Sequence, residues 1–232
     1  MLKSLRSIGG QFTRRLPPKL HFLLIQPFSQ TPKFLNTIRY HTRLYRDAGQ
    51  EFAGLHLGSG NTRIEGFCNI DGNPLVKCDL VSGLEQLKLN SDSVDVIYSS
   101  HVFEHIPRAG TAAVLREWRR VLKPDGKLYL CVPDAEALFK IYLDNLPRYG
   151  TEEGRGLVDL ACDVAYGGQV DQYDFHFYGY SLTTLLALLE STGFKDVRRF
   201  SRQEVGFDLP ADGSTASIAG VSISLNVQAN KC

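Results

Sequence analysis

The stretch Leu55-His56-Leu57-Gly58-Ser59-Gly60, followed by Gly66-Phe67-Cys68-Asn69-Ile70-Asp71, most constrains what this 232-residue chain can fold into. An apolar run breaks into Gly-x-Gly and a second short run ends in an acid, the pattern of a strand, a tight turn and a second strand. Glycines in such a turn let backbone N–H groups approach a ligand with no Cβ in the way. An acid at the tip of the next strand can accept both hydroxyls of a ribose. The arrangement asks for a nucleoside, and it argues against a dinucleotide. That fingerprint needs a third glycine and an acid about 20 residues on, whereas here Arg63 holds the third position and Asp71 follows Gly58 after thirteen residues.

From Leu55 onward, short apolar runs alternate with helical patterns, which predicts a doubly wound, Rossmann-like α/β fold built from right-handed βαβ units. Strands are expected near 54–57, 67–70, 76–79, 94–98, 127–132, 195–200 and 218–228. Val114, Leu115, Trp118, Val121 and Leu122 recur at helical spacing and predict a helix from about 110 to 122, with Trp118 in the core and Lys123-Pro124-Asp125-Gly126 as its stop. Thr31-Pro32 reads as a helix start. Between 145 and 180 the pattern loosens and is rich in Gly and Tyr, so a lid or substrate-recognition insertion is expected there.

Charge divides the chain. Nine of its 26 basic residues precede Asp47 with no acid among them, so the remainder carries 17 basic residues against 25 acidic ones. We expect a basic arm and helix over 1–46, read first as a solvated arm, with contact to an anionic membrane surface or acidic partner and an organellar transit peptide as the alternatives, and a catalytic domain over 47–232. The basic run is neither repeated on the body nor interleaved with aromatics, which argues against nucleic acid as a partner. Phe22-Leu23-Leu24-Ile25 is far too short to span a bilayer. The five cysteines are odd in number and form no C-x-x-C pair, so neither disulfides nor a metal site is expected, and a reducing, cytoplasmic setting follows.

These residues resemble the class I S-adenosylmethionine-dependent methyltransferases, in the small-molecule type with a short glycine loop. Beyond the opening pair of motifs, the likeness is carried by Lys77-Cys78-Asp79-Leu80 and by the segment Ser93-Val94-Asp95-Val96-Ile97-Tyr98-Ser99-Ser100-His101-Val102-Phe103-Glu104-His105. It continues through Glu117-Trp118-Arg119-Arg120-Val121-Leu122-Lys123-Pro124-Asp125-Gly126-Lys127-Leu128 and a late Gly193-Phe194. It covers roughly residues 52 to 200. The resemblance implies a mostly parallel seven-stranded sheet with an antiparallel last strand, and S-adenosylmethionine as cofactor. It places His56, Gly58, Ser59, Gly60, Asp71, Asp79, Leu80 and Ser100 around that cofactor, with Asp71 on the ribose and Asp79 at the adenine edge. His56 stands where many members carry an acid.

The expected reaction is transfer of a methyl group to a small-molecule acceptor, with O-methylation of a sugar or a similar cell-surface metabolite as the substrate class the resemblance implies. Methylation of an amine or carboxylate, and a catalytically inactive binding module, stand as alternatives. If the acceptor is a hydroxyl its proton must be taken up, and histidine is the side chain that titrates near neutral pH. His101, at the end of the fourth expected strand, and His176, at the end of the insertion, are the candidates for catalysis.

Overall fold

The computed structural model describes residues 52–232. The basic arm, the helix expected from Thr31 and the short apolar run near Phe22 lie outside the described residues. Strands β1 (Gly54–Leu57), β2 (Phe67–Asp71), β3 (Leu80–Val81), β4 (Val94–Ser100) and β5 (Leu122–Pro133) pair in parallel. Strand β9 (Ser224–Lys231) runs antiparallel to both of its neighbours, β5 and β6 (Phe194–Arg199). The order across the sheet is β3-β2-β1-β4-β5-β9-β6, the expected seven strands with the antiparallel member last in the chain. The order reverses at β1, so the ends of β1 and β4 flank the crevice where such sheets bind ligands.

Register assigns the two faces. Leu55, Leu57, Ile97, Leu128, Leu130 and Val227 share one face and are all buried. Helix α1 (Arg108–Val121) buries Val114, Leu115, Trp118 and Val121, and the Trp118 indole N–H donates to the Leu84 carbonyl at 3.0 Å. Trp118 is therefore core, as its spacing predicts. On the other face Phe67, Tyr98 and Tyr129 join Ile64, Cys131, Phe200 and Val205 in a second cluster, against which Phe207 and Leu209 pack.

The structure departs from expectation at three places. The strand expected at 76–79 begins only at Leu80, because Val76 closes a turn onto Asn73 and β3 has β2 as its one ladder partner. The strand expected at 218–228 is two features: a hairpin of β7 (Ser217–Ile218) and β8 (Val221–Ser222), then β9. Ala219 and Gly220 both adopt positive φ, the two-residue turn that folds a hairpin back on itself. The loose stretch of 145–180 contains a helix, α3 (Glu152–Tyr166), capped by Thr151. It follows α2 (Ala135–Asn145), which is capped by Asp134. Leu138 and Ile141 of α2 pack with Ala161 of α3, a contact that Gly154 and Gly156 obscure in the sequence. Helix α4 (Leu182–Ser191) opens with a Ser181/Thr184 capping box. Among the described residues no helix is long and apolar enough to cross a membrane.

Candidate active site

The glycine turn is built as its sequence demands. Gly58 and Gly60 adopt positive φ of 70° and 54°, and the Gly58 and Ser59 N–H groups both donate to the Ile70 carbonyl. A Cβ on Gly58 would strike the Val102 side chain, whereas one on Gly60 would point into open space. The turn is thus pressed against the segment after β4 on one side and open on the other. Asp71, at the tip of β2, braces it: Oδ2 accepts from the Gly60 N–H and Oδ1 from the Asn73 N–H, each at 2.7 Å. Ser59, just past the end of β1, holds a buried hydroxyl with no hydrogen-bond partner, while Ser100, at the end of β4, has the Cys131 thiol beside it. An open glycine cradle and a strand-end acid fit a nucleoside.

The remaining residues expected at the cofactor lie further back. His56 is buried two residues inside β1, and its Nδ1 is 3.1 Å from the Asn69 amide oxygen, which can only accept, so Nδ1 is the N–H. Burial lowers its pKa, with the Asn69 bond opposing. Asp79 is engaged by Arg63 at 2.6 Å on one oxygen and by the Asn69 backbone and side chain at 2.9 Å on the other. Burial pushes its carboxyl up, but these donors outweigh it and hold the group below its ordinary value. Leu80 is buried in β3.

A second constellation follows β4. The chain turns at His101, which adopts φ of 52°, a conformation a side chain rarely takes, and whose N–H donates to the Cys131 carbonyl. A short turn, Phe103–His105, is anchored by the buried Phe103, whose ring lies 5.8 Å from Trp118 and 5.3 Å from Tyr180. It leaves Glu104 only 1% exposed. The 175–177 segment closes over it. The Phe177 N–H donates to the Glu104 carbonyl, the His176 N–H donates to the Tyr166 carbonyl, and His105 Nδ1 lies 3.0 Å from the Phe175 carbonyl. Gly167, at positive φ, ends α3 where any Cβ would strike the Asp174 carbonyl, so glycine there lets His176 come in.

His101 Nδ1 and His176 Nε2 lie 3.6 and 3.8 Å from Glu104 Oε1, and the His105 and His176 rings meet edge to face at 4.7 Å. Burial raises the Glu104 carboxyl to about 8 and lowers His101 to about 4, and it lowers His176 as well. Both histidines expected to serve catalysis are thus brought together. Glu104 and His105, which read as local structure, join them. Of the other acids near this end of the sheet, Asp134 is spent on capping α2 and on Arg199 at 3.1 Å, and Asp212 on the Tyr98 hydroxyl at 2.6 Å and Arg202 at 2.9 Å.

Comparison with known proteins follows the same line. Residues 42–130 match the family model of a methyltransferase domain. No curated protein matches the sequence. Among solved structures, a SAM-dependent methyltransferase from Archaeoglobus fulgidus is similar at 15% identity over 91% of this chain and 99% of that one, with a TM-score of 0.48. One from Thermotoga maritima is similar at 16% over 86% and 92%, with a TM-score of 0.45. A Haemonchus contortus phosphoethanolamine N-methyltransferase, solved with S-adenosyl-L-methionine, is similar at 13% over 72% and 39%, with a TM-score of 0.41. The matched segment runs through the glycine turn, Asp71 and the Glu104 turn, so this part of the chain is similar to a methyltransferase domain, and the strand order is that of a Rossmann-like α/β sheet.

Proposed function

We propose that the chain methylates a hydroxyl of a small polar acceptor, a sugar or a similar cell-surface metabolite, held at the cluster of His101, Glu104, His105 and His176. One observation carries the reading. His101, Glu104 and His105 flank Val102, the residue a Cβ on Gly58 would strike, so the polar groups and the glycine cradle share a wall. S-adenosylmethionine, when bound, supplies an activated methyl carbon on a sulfonium. Gly58, Ser59 and Gly60 shape the cradle, Asp71 takes the ribose hydroxyls, and Leu80 and Ser100 complete the wall. His56 and Asp79 support this site from behind through Asn69.

The protein's task is to hold the acceptor oxygen in line and to accept its proton. His176 is half-buried, with burial keeping it neutral at physiological pH, and it is the member of the cluster we assign to the acceptor oxygen. His101 is tied through Nε2 to Ser224 Oγ at 3.0 Å and stands beside Glu104 without bonding it. A sugar suits a pocket of imidazoles and a carboxylate better than an apolar acceptor does. The test is labelled-methyl transfer to a panel of sugars, amines and carboxylates. Transfer confined to amines or carboxylates would replace the acceptor class. His176→Ala should lower turnover about 10²-fold or more with S-adenosylhomocysteine affinity unchanged.

A further inference from the structure

We propose that Glu104, His105 and His176 form a binding site for a divalent transition-metal cation of the zinc class. Nothing in the sequence asked for one, since no cysteine spacing suggests it. One ligand atom from each of the three residues lies within 4.8 Å of the other two. Two ligands about 2.1 Å from a shared tetrahedral ion lie about 3.4 Å apart, so modest side-chain adjustment brings this set onto one ion. Two imidazoles with one carboxylate is a donor set that suits zinc and its first-row neighbours and leaves positions open, whereas magnesium and calcium favour all-oxygen sets.

The second observation is the state of the carboxylate. Glu104 is 1% exposed and neither oxygen finds a hydrogen-bond donor outside its own residue. A buried carboxylate in that condition is costly unless a cation or proton compensates it.

The protons around it point away. The Asn226 amide N–H donates to the Ser214 carbonyl at 3.0 Å, so its oxygen accepts the Ser224 hydroxyl proton at 2.9 Å. Ser224 Oγ is then free to accept from His101 Nε2, which leaves the lone pair of a neutral His101 on Nδ1, facing Glu104. His105 reads the same way. Its Nδ1 faces the Phe175 carbonyl, which can only accept, so Nδ1 carries the proton and Nε2 keeps the lone pair. A backbone carbonyl fixing the tautomer in this manner is the usual outer-shell support of a ligating histidine. The His176 ring likewise has a backbone partner, at Val164. The carboxylate is the floor and two half-buried imidazoles are the rim, so a bound ion would keep its open positions toward the outside. On the functional reading above, on which this role rests, those positions would take the acceptor's oxygen, and in the metal-loaded protein the ion would activate that hydroxyl in place of His176, whose lone pair it occupies.

The test uses tag-free, full-length protein stripped with a chelator, titrated with Zn²⁺ by calorimetry and repeated with Mn²⁺. The expected result is one Zn²⁺ per chain, weakened at least tenfold in each of Glu104→Gln and His176→Ala. Added Zn²⁺ should raise the melting temperature of the wild type and not that of Glu104→Gln, a nearly isosteric variant expected to fold. No stoichiometric binding, or binding that both variants retain, overturns the proposal. S-adenosylhomocysteine binding is measured in the same samples. A wild type that binds the nucleoside but no Zn²⁺ refutes the metal site alone, while failure of the wild type to bind the nucleoside refutes the functional reading.

Discussion

Replacing Asp71 by Ala removes a carboxylate that ties the glycine turn after β1 to the loop after β2. In the structure it accepts two short backbone hydrogen bonds, from Gly60 and Asn73, both at 2.7 Å. Hydrogen bonds to an ionised acceptor contribute roughly 1.5 to 3 kcal/mol each when well shielded. Asp71 is partly exposed, so water recovers much of that in the variant. A loss of about 1 to 2 kcal/mol of folding stability is the appropriate expectation. The cofactor loses more, because the ribose acceptor and the brace on Gly60 go together: about 1.5 to 3 kcal/mol, or roughly tenfold to a hundredfold in affinity for S-adenosylhomocysteine. Asp71→Asn keeps one oxygen and should fall between the two. Calorimetry gives the affinity and thermal unfolding the stability. A variant that binds S-adenosylhomocysteine within about twofold of wild type would refute the assignment of Asp71 to the ribose, whatever its melting temperature.

Gly58→Ala combines a positive φ with a clash against Val102, and should destabilise by about 2 to 4 kcal/mol while abolishing nucleoside binding. Adding Val102→Ala should restore part of the stability, and no rescue in thermal unfolding would argue against the clash. Trp118→Ala empties a fully buried site and orphans the Leu84 carbonyl, for an expected cost of about 3 to 5 kcal/mol by denaturant unfolding. Burial lowers the His56 pKa below its ordinary 6.5, so as the pH drops the unfolded chain takes up the proton first. The stability this contributes is present above about 6.5 and drains away below it. His56→Gln should therefore show a shallower fall in melting temperature between pH 7 and pH 5, and an unchanged slope would count against a neutral buried imidazole.

The glycine turn and the strand-end acid were legible because their determinants are local. Leu55 to Asp71 is one strand, one turn and one strand, and the backbone geometry that Gly58 and Gly60 adopt is the one that makes glycine necessary there. Asp79 was legible in position but not in bonding. The Asn69 amide, which orders His56, Ile64 and Asp79 around itself, is an ordinary strand residue in the sequence, and only the parallel register shows it as the hub. Helix α3 was missed because two glycines dilute its apolar spacing, and its stability comes from packing against α2 rather than from propensity.

The histidine–glutamate cluster resisted reading because it is assembled across the chain. His101, Glu104 and His105 are neighbours, but His176 reaches Glu104 from 72 residues further on, and it does so only because α3 ends at Gly167 and the 175–177 segment hydrogen-bonds back onto the turn. Ser224 enters from β9, still later in the chain. The His-x-x-Glu-His letters were visible in the sequence, yet their meaning depends on burial. An exposed glutamate there would be a solvated turn acid, whereas under Phe177 it is a carboxylate without a donor among imidazole nitrogens. Sequence periodicity reports which face of an element is buried. It does not report which polar side chain a distant loop will cover, and in this chain that covering loop turns a local motif into a site.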